Sequence, residues 1–383
     1  MLERPISEAS LIGKPRLERK EGRAICVFDV DFGPERPATL WYSFDEAFAD
    51  FCTATCDGAA VALLVPAMLR RLPLRIAGPI NAGLFDALTG PLQKIVSMQL
   101  PDLQPTTINV EQVTREGEGG SGVVTGLSGG IDSFTVLADH FYQPRVKATT
   151  ITHFLYNNVG SHGFGGRELF RARRKALAPL FDRLGLPVIT VDSNLGEFYA
   201  GFKFQQTHTL RNVSVPLILG KGFRTFLYAS GLPYAQISIS PTYDMACADP
   251  IILGALSTPA LAMHSAGAEY TKIEKTAKVA EIEDSYEFLD VCVNTKSGEN
   301  CGVCWKCKRT LLTLHMLGKL EKYSAVFPLD RYLAAERAFI GEVCRSDDVL
   351  LREIAAFETV SSFKFPAYLK YRGVLKRRLK GLI

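Results

Sequence analysis

The stretch Gly126-Leu127-Ser128-Gly129-Gly130-Ile131-Asp132-Ser133-Phe134 constrains this chain more than any other. The apolar run Val123-Val124-Thr125 leads into it, and an apolar, helix-like stretch from Ile131 to Phe141 leaves it, an order of strand, glycine-rich turn and helix. Adjacent glycines let the backbone approach an anion closely, and a helix start adds unpaired N–H groups and a positive dipole end. Ser128 and Ser133 add hydroxyl donors, so phosphate is the natural guest. Asp132 suits such a site only as a helix cap or as a ligand of Mg²⁺ bridged to the phosphate.

The string lacks the Lys-Ser/Thr of a Walker loop and is not a G-x-G-x-x-G dinucleotide turn. As S-G-G-x-D-S it resembles the PP-loop of the ATP pyrophosphatases. That resemblance implies cleavage of ATP between its α and β phosphates, adenylation of a substrate oxygen, and displacement of AMP by a nucleophile. It also implies that Leu127, Ser128, Gly129, Gly130, Asp132 and Ser133 form the ATP loop, with Asp132 in a catalytic role.

A chain of 383 residues exceeds one ordinary core, so two or three domains are expected. Apolar content of 47% and charged content of 22% describe an ordinary soluble protein. No run of about 18 apolar residues occurs and no signal-peptide core opens the chain, which predicts a cytoplasmic protein without a membrane partner. A formal charge of +4 does not favour nucleic acid as a partner.

Residues 1–118 read as an N-terminal α+β domain, with strands at Arg23–Phe32, Ala38–Phe44, Leu72–Ile76 and Thr107–Val110 and helices at Asp45–Cys56 and Gly83–Met98. Cys26, Cys52 and Cys56 have no matching His cluster and read as packing thiols. The polar, glycine-rich Arg115–Gly122 reads as a linker. The domain is expected to dock beside the phosphate loop, as a structural element or as a selector of substrate.

Residues 119–290 alternate strand and helix. Strands are expected at Lys147–Leu155, Val188–Asp192, Tyr234–Ile239 and Glu269–Thr271; helices at Arg167–Leu184, Val213–Ser230 and Pro250–Ser265. Repeated β-α-β units predict an α/β fold, a doubly wound parallel sheet with its ligand beyond the carboxyl ends of the strands. The loops Asn157–Gly163, Asp192–Asn194, Thr207–Asn212 and Ser240–Asp244 would reach that edge, each residue having a cap or turn role as its alternative. Arg211-Asn212 beside a helix start suits phosphate or adenylate. Of Lys272 and Lys275, Lys275 is the expected catalytic lysine, neutralising the departing pyrophosphate; a solvated helix face is the alternative.

In residues 291–322, Cys292 and then Cys301, Cys304 and Cys307 form the spacing C-x8-C-x2-C-x2-C, with Gly302 freeing a tight knuckle. Four thiolates close the shell of one tetrahedral Zn²⁺, a structural rather than catalytic metal. An Fe–S cluster or redox thiols is the alternative. Lys306, Lys308 and Arg309 would partly balance the thiolate charge. Residues 323–383 read as a helical extension, with helices at Leu329–Val343 and Asp347–Phe357 and a basic tail over the last fourteen residues.

Loop and cysteines together resemble 7-cyano-7-deazaguanine synthase, over roughly residues 122–320. That family uses ATP to activate a carboxylate on a deazaguanine, adds ammonia, and dehydrates the amide to a nitrile. The resemblance implies ATP, Mg²⁺ and Zn²⁺ as cofactors, Arg211 and Asn212 at the nucleotide, and the four cysteines as zinc ligands. The extra N- and C-terminal regions, and a loop after the second strand without the family's aromatic-Gly-Gln-Arg-His pattern, imply a diverged relative. Its acid would be a small molecule, a larger acid or a protein. The first functional expectation is therefore an AMP-forming carbon–nitrogen ligase. A tRNA sulfur transferase, for which Cys247 is the one plausibly placed isolated cysteine, and a zinc-containing nucleotide-binding interaction protein are the alternatives. A homodimer is compatible with the sequence.

Overall fold

The computed structural model describes residues 8–115, 119–162, 166–293 and 298–371. Eleven strands form one mostly parallel sheet: β1 (Ser10–Ile12), β2 (Arg16–Lys20), β3 (Arg23–Asp31), β4 (Thr39–Asp45), β5 (Leu74–Asn81), β6 (Ile108–Thr114), β7 (Gly122–Gly126), β8 (His153–Asn158), β9 (Val188–Ser193), β10 (Phe223–Ala229) and β11 (Ala262–Ala266). Their order is β11-β10-β7-β8-β9-β4-β3-β1-β5-β6, with β2 paired to β3. From β9 to β11 every pairing is parallel, as expected of strands buried on both faces. The order reverses at β7: β8 and β9 lie on one side, β10 and β11 on the other. The loop after β7 therefore opens at a topological switch point, where α/β sheets bind their ligands.

Alternate residues of these strands feed two cores on opposite faces. Val124, Leu155, Ile189 and Phe226 join one core, while Val123, Phe154, Tyr156 and Leu227 join the other. The first core runs on without interruption into the N-terminal residues, from Ile12 to Val96 and beyond. Two devices join the halves. β4 pairs antiparallel with β9, setting Tyr42 against Ser193 and Ser43 against Asp192. The helix Asp57–Arg70, buried along almost its whole length, packs on the helix His208–Ile218. Tyr42 and Ser214 share a 2.9 Å hydrogen bond across that junction, and Tyr199 donates 2.6 Å to the Ala62 carbonyl. In the glycine-rich connection, a Cβ on Gly120 would lie 2.2 Å from the Gly222 carbonyl carbon, so this part of the expected linker is packed against the chain. Residues 116–118 lie outside the described residues.

The second face is covered by the helices Ile131–Leu137, Lys272–Val279, Trp305–Met316, Leu329–Val343 and Val349–Val360. Several expected elements shift. The helix read over Val213–Ser230 ends at Ile218, and the aromatic Phe223–Ala229 that follows Gly220-Lys221-Gly222 is β10. Tyr234–Gln236, expected to be strand, is a 3-10 turn. The helix read over Pro250–Ser265 ends at Leu256, and β11 follows it. Glu269–Thr271 is a turn whose Thr271 caps the next helix through a reciprocal bond with Glu274. Asp45–Cys56 holds only a 3-10 segment, Glu46–Phe51. Most of the basic C-terminal tail, residues 372–383, lies outside the described residues. No helix among the described residues is long and apolar enough to cross a membrane.

Candidate nucleotide cleft and metal centre

Beyond β7 the chain passes through Leu127 and Ser128 to Gly129, whose φ of 78° is the left-handed backbone that glycine adopts without strain. A Cβ there would also press on Leu177 and the Phe288 carbonyl at 3.1 Å. Gly130 then precedes the helix Ile131–Leu137, which a π turn continues to Tyr142. The Ser133 hydroxyl donates 2.9 Å to the Gly130 carbonyl and lies 3.5 Å from the Ser128 hydroxyl. Loop, strand ends and helices enclose a cleft of about 400 Å³. Its floor is Gly126, Leu127, Ser128, Gly130, Asp132 and Ser133; Tyr156, Asn157 and His162 come from the β8 side, and Phe226 and Tyr228 from β10. Among the described residues none before Gly126 lines it, so the described N-terminal residues support the sheet and do not wall the cleft.

Asp132 is met by two ammonium groups. Lys272 Nζ lies 2.5 Å and Lys275 Nζ 3.1 Å from its Oδ1. Desolvation raises the Asp132 pKa, but the two lysines outweigh it and hold the carboxyl at about 2. Burial pulls Lys272 down to about 8 against the opposing pull of Asp132. The two lysines differ in what they can reach. Lys275 is 1% exposed and also donates to the Ser230 carbonyl, so it holds the loop from behind. Lys272 lines the cleft. Lys272, not the Lys275 expected from the sequence, is thus the lysine placed to meet a ligand.

Asn212 lines the cleft, whereas Arg211 does not. The Arg211 guanidinium is buried over the Tyr199 ring, 3.7 Å from its centroid, and burial lowers its pKa to about 10. A Cβ on Gly160 would stand 2.7 Å from Arg211 NH1, so the arginine is wedged beneath the loop after β8. Among the histidines, His162 lines the cleft, with burial and then Arg173 holding its pKa down at about 4. His153 packs at the other end of β8 against Phe51 and Phe223. His208 stands behind Tyr228: Nδ1 is 2.6 Å from the phenol oxygen, and Nε2 is 3.1 Å from Asp244 Oδ1. Cys247 is not among the lining residues.

The four cysteines come together. One sulfur each from Cys292, Cys301, Cys304 and Cys307 lies within 4.8 Å of the others, and the Cys292 and Cys304 sulfurs are 3.9 Å apart. A tetrahedral ion with Zn–S bonds of about 2.3 Å needs sulfurs about 3.8 Å apart, so the set fits zinc. Gly302, at φ 74°, makes the knuckle turn, and the Cys304 N–H donates 3.2 Å to the Cys301 sulfur. Cys304 caps the helix Trp305–Met316 and Cys307 sits in its first turn. The knuckle is part of the cleft wall, because Cys292, Lys306 and Arg309 line it. Asp290 lines it as well, paired with Arg173 at 3.4 Å and donating its backbone N–H to the Gly129 carbonyl at 2.8 Å.

Sequence reasoning missed Arg173, Tyr228, Asp290, Lys306 and Arg309 as lining residues. One signal was legible: Lys306 and Arg309 are three apart on a helix and so share a face. Comparisons with protein-family models, with curated proteins and with solved structures find no match.

Proposed function

We propose that the chain is an ATP-dependent, AMP-forming enzyme that adenylates a carboxylate and passes the acyl group to ammonia or an amine. The observation that carries this reading is the convergence of Ser128–Ser133, Lys272 and the cysteine knuckle on one cleft at the switch point. About 400 Å³ falls within the range for small-molecule sites. Backbone N–H groups and the Ser128 and Ser133 hydroxyls suit phosphate oxygens, and Lys272 suits the charge that develops on a leaving pyrophosphate. Mg²⁺ characteristically keeps several waters and binds through phosphates plus one or two carboxylates; Asp132 is the carboxylate at the loop. The zinc set has no open position, so its part is to hold Cys292 and the helix Trp305–Met316 in the wall. The resemblance to 7-cyano-7-deazaguanine synthase names the first acid to try, a carboxylated deazaguanine. Cys247 lies outside the cleft lining, so the sulfur-transfer alternative draws no support from that cysteine.

The reading is tested by incubating the chain with ATP, Mg²⁺, ammonium and that acid, then following pyrophosphate and the mass of the product. Acid-dependent pyrophosphate with an amide or nitrile is the expected result. Asp132→Asn should abolish it while leaving the metal content unchanged. Acid-independent release of ADP and phosphate contradicts the reading.

A further inference from the structure

The helix that leaves the metal knuckle carries a buried cation whose donors are only partly used. Arg309 is 8% exposed, yet its Nε and NH1 have no hydrogen-bond partner. Its guanidinium lies 5.0 Å from the centroid of the Trp305 ring, and it lines the cleft together with Lys306. Asp132, Asp348 and Glu353 attract the guanidinium only from beyond hydrogen-bond distance of those two nitrogens. Buried donors are ordinarily paired, and two left unbonded in the wall of a cleft point to a ligand that brings acceptors. A guanidinium fork matches phosphate or carboxylate oxygens, and a neighbouring ammonium adds a point charge. Lys272 supplies a third cation to the same space, already set against Asp132 on the loop. The cations come from two elements, the helix after β11 and the knuckle helix, so they face the loop from more than one side.

We infer that Arg309, with Lys306, is a clamp for the β- and γ-phosphates of a nucleoside triphosphate, so that the knuckle's metal positions the residues that read the polyphosphate end. The inference rests on the nucleotide reading above and deepens it. As the carboxylate oxygen bonds to the α-phosphorus, the bond from that phosphorus to the bridging oxygen breaks, and its electron pair leaves on the β-phosphate. Arg309 and Lys306 meet that growing charge. A monophosphate has no such end and does not use them. Discrimination between ATP and AMP is therefore the property assigned to these two residues.

The test uses the full-length, metal-loaded chain and calorimetric titration with ATP, α,β-methylene ATP, inorganic pyrophosphate and AMP. Arg309→Gln should raise the Kd for the two triphosphates and for pyrophosphate about tenfold or more, the scale of a lost charge-assisted bidentate contact, and leave AMP within about twofold. Arg309→Lys should fall between, and Lys306→Gln should act in the same direction less strongly. A second readout needs no arginine variant. In Trp41→Phe protein, Trp305 is the one remaining tryptophan, and pyrophosphate should change its emission where AMP does not. Wild-type affinity for ATP and pyrophosphate in both arginine variants overturns the clamp and leaves the nucleotide reading standing. So does a Trp305 signal indifferent to pyrophosphate. Binding of pyrophosphate without any nucleotide keeps the clamp and removes the nucleotide reading. Binding of none of the four removes both.

Discussion

A methyl group at Gly58 probes whether the N-terminal residues are a separable domain or part of the body that carries the cleft. Gly58 opens the helix Asp57–Arg70 and lies against the helix His208–Ile218. A Cβ there would fall 2.4 Å from Ile218 Cγ1, 2.7 Å from the Ser214 carbonyl oxygen and 3.1 Å from the Ile218 backbone nitrogen. Carbon atoms in contact stand about 3.5–4.0 Å apart, so the helices must separate by roughly 1 Å. Two of the three obstacles are backbone atoms that cannot rotate away. Overpacking of this kind costs about 1–3 kcal/mol, while alanine in place of a helical glycine returns about 0.5–1 kcal/mol. Gly58→Ala should therefore destabilise the protein by about 1–2 kcal/mol. Because Tyr42 bonds Ser214 beside the same contact, separating the helices also disturbs the junction near β4 and β9. Urea unfolding followed by both circular dichroism and tryptophan emission measures this, Trp41 and Trp305 reporting from the two ends. A lower midpoint seen together by both probes is the expected result. An unchanged or higher midpoint, or loss of the Trp41 signal alone, contradicts a shared core.

Other perturbations reach the site more directly. Deleting residues 1–118 should give aggregated protein, checked by light scattering, because the deletion bares the core face under Val213, Val215 and Leu217 and the β9 edge. Purified protein should hold about one zinc per chain, and Cys307→Ser should lower the melting temperature and release the metal, measured by calorimetry and elemental analysis. The ion pairs of Asp132 carry a defined pH signature: its folded pKa of about 2 lies below the ordinary 3.8, so their contribution to stability is present above pH 3.8 and lost as pH falls through about 2. Wild type should therefore lose its stability advantage over Asp132→Asn in that acid window, and a constant difference down to pH 2 contradicts the pairing.

The parts of the fold legible in the sequence share one property: their signals are local. Val123-Val124-Thr125, the two glycines and the cysteine spacing each state their geometry within a few residues, and β7, the loop and the four-sulfur cluster lie where those residues predict. The helix Asp57–Arg70 was missed for a physical reason. Ala59 to Met68 are all buried, so the stretch has no polar face to give it a helical period. β10 is hidden in sequence because an apolar helix runs through a short glycine turn into an apolar strand, whereas Ser257-Thr258-Pro259 does mark the break before β11. The joining of β4 to β9 depends on residues some 150 positions apart, which no local pattern encodes. The cleft cations illustrate the same limit. Lys306 and Arg309 sit beside thiolate ligands in sequence, which suggests charge balance, whereas the fold turns both toward the loop. Arg211 errs in the opposite direction: a cation at a helix start reads as a phosphate ligand, yet Tyr199 and Phe204 take its face.

The central claim is that this cleft breaks ATP between its α and β phosphates. Incubation of the metal-loaded chain with ATP labelled at the α-phosphate, in the presence of Mg²⁺, ammonium and a carboxylated deazaguanine, measures it most directly. Label appearing in AMP, matched mole for mole by pyrophosphate and dependent on the acid, is the result this account predicts. Label appearing in ADP, or ATP left intact by protein that binds it, contradicts the account.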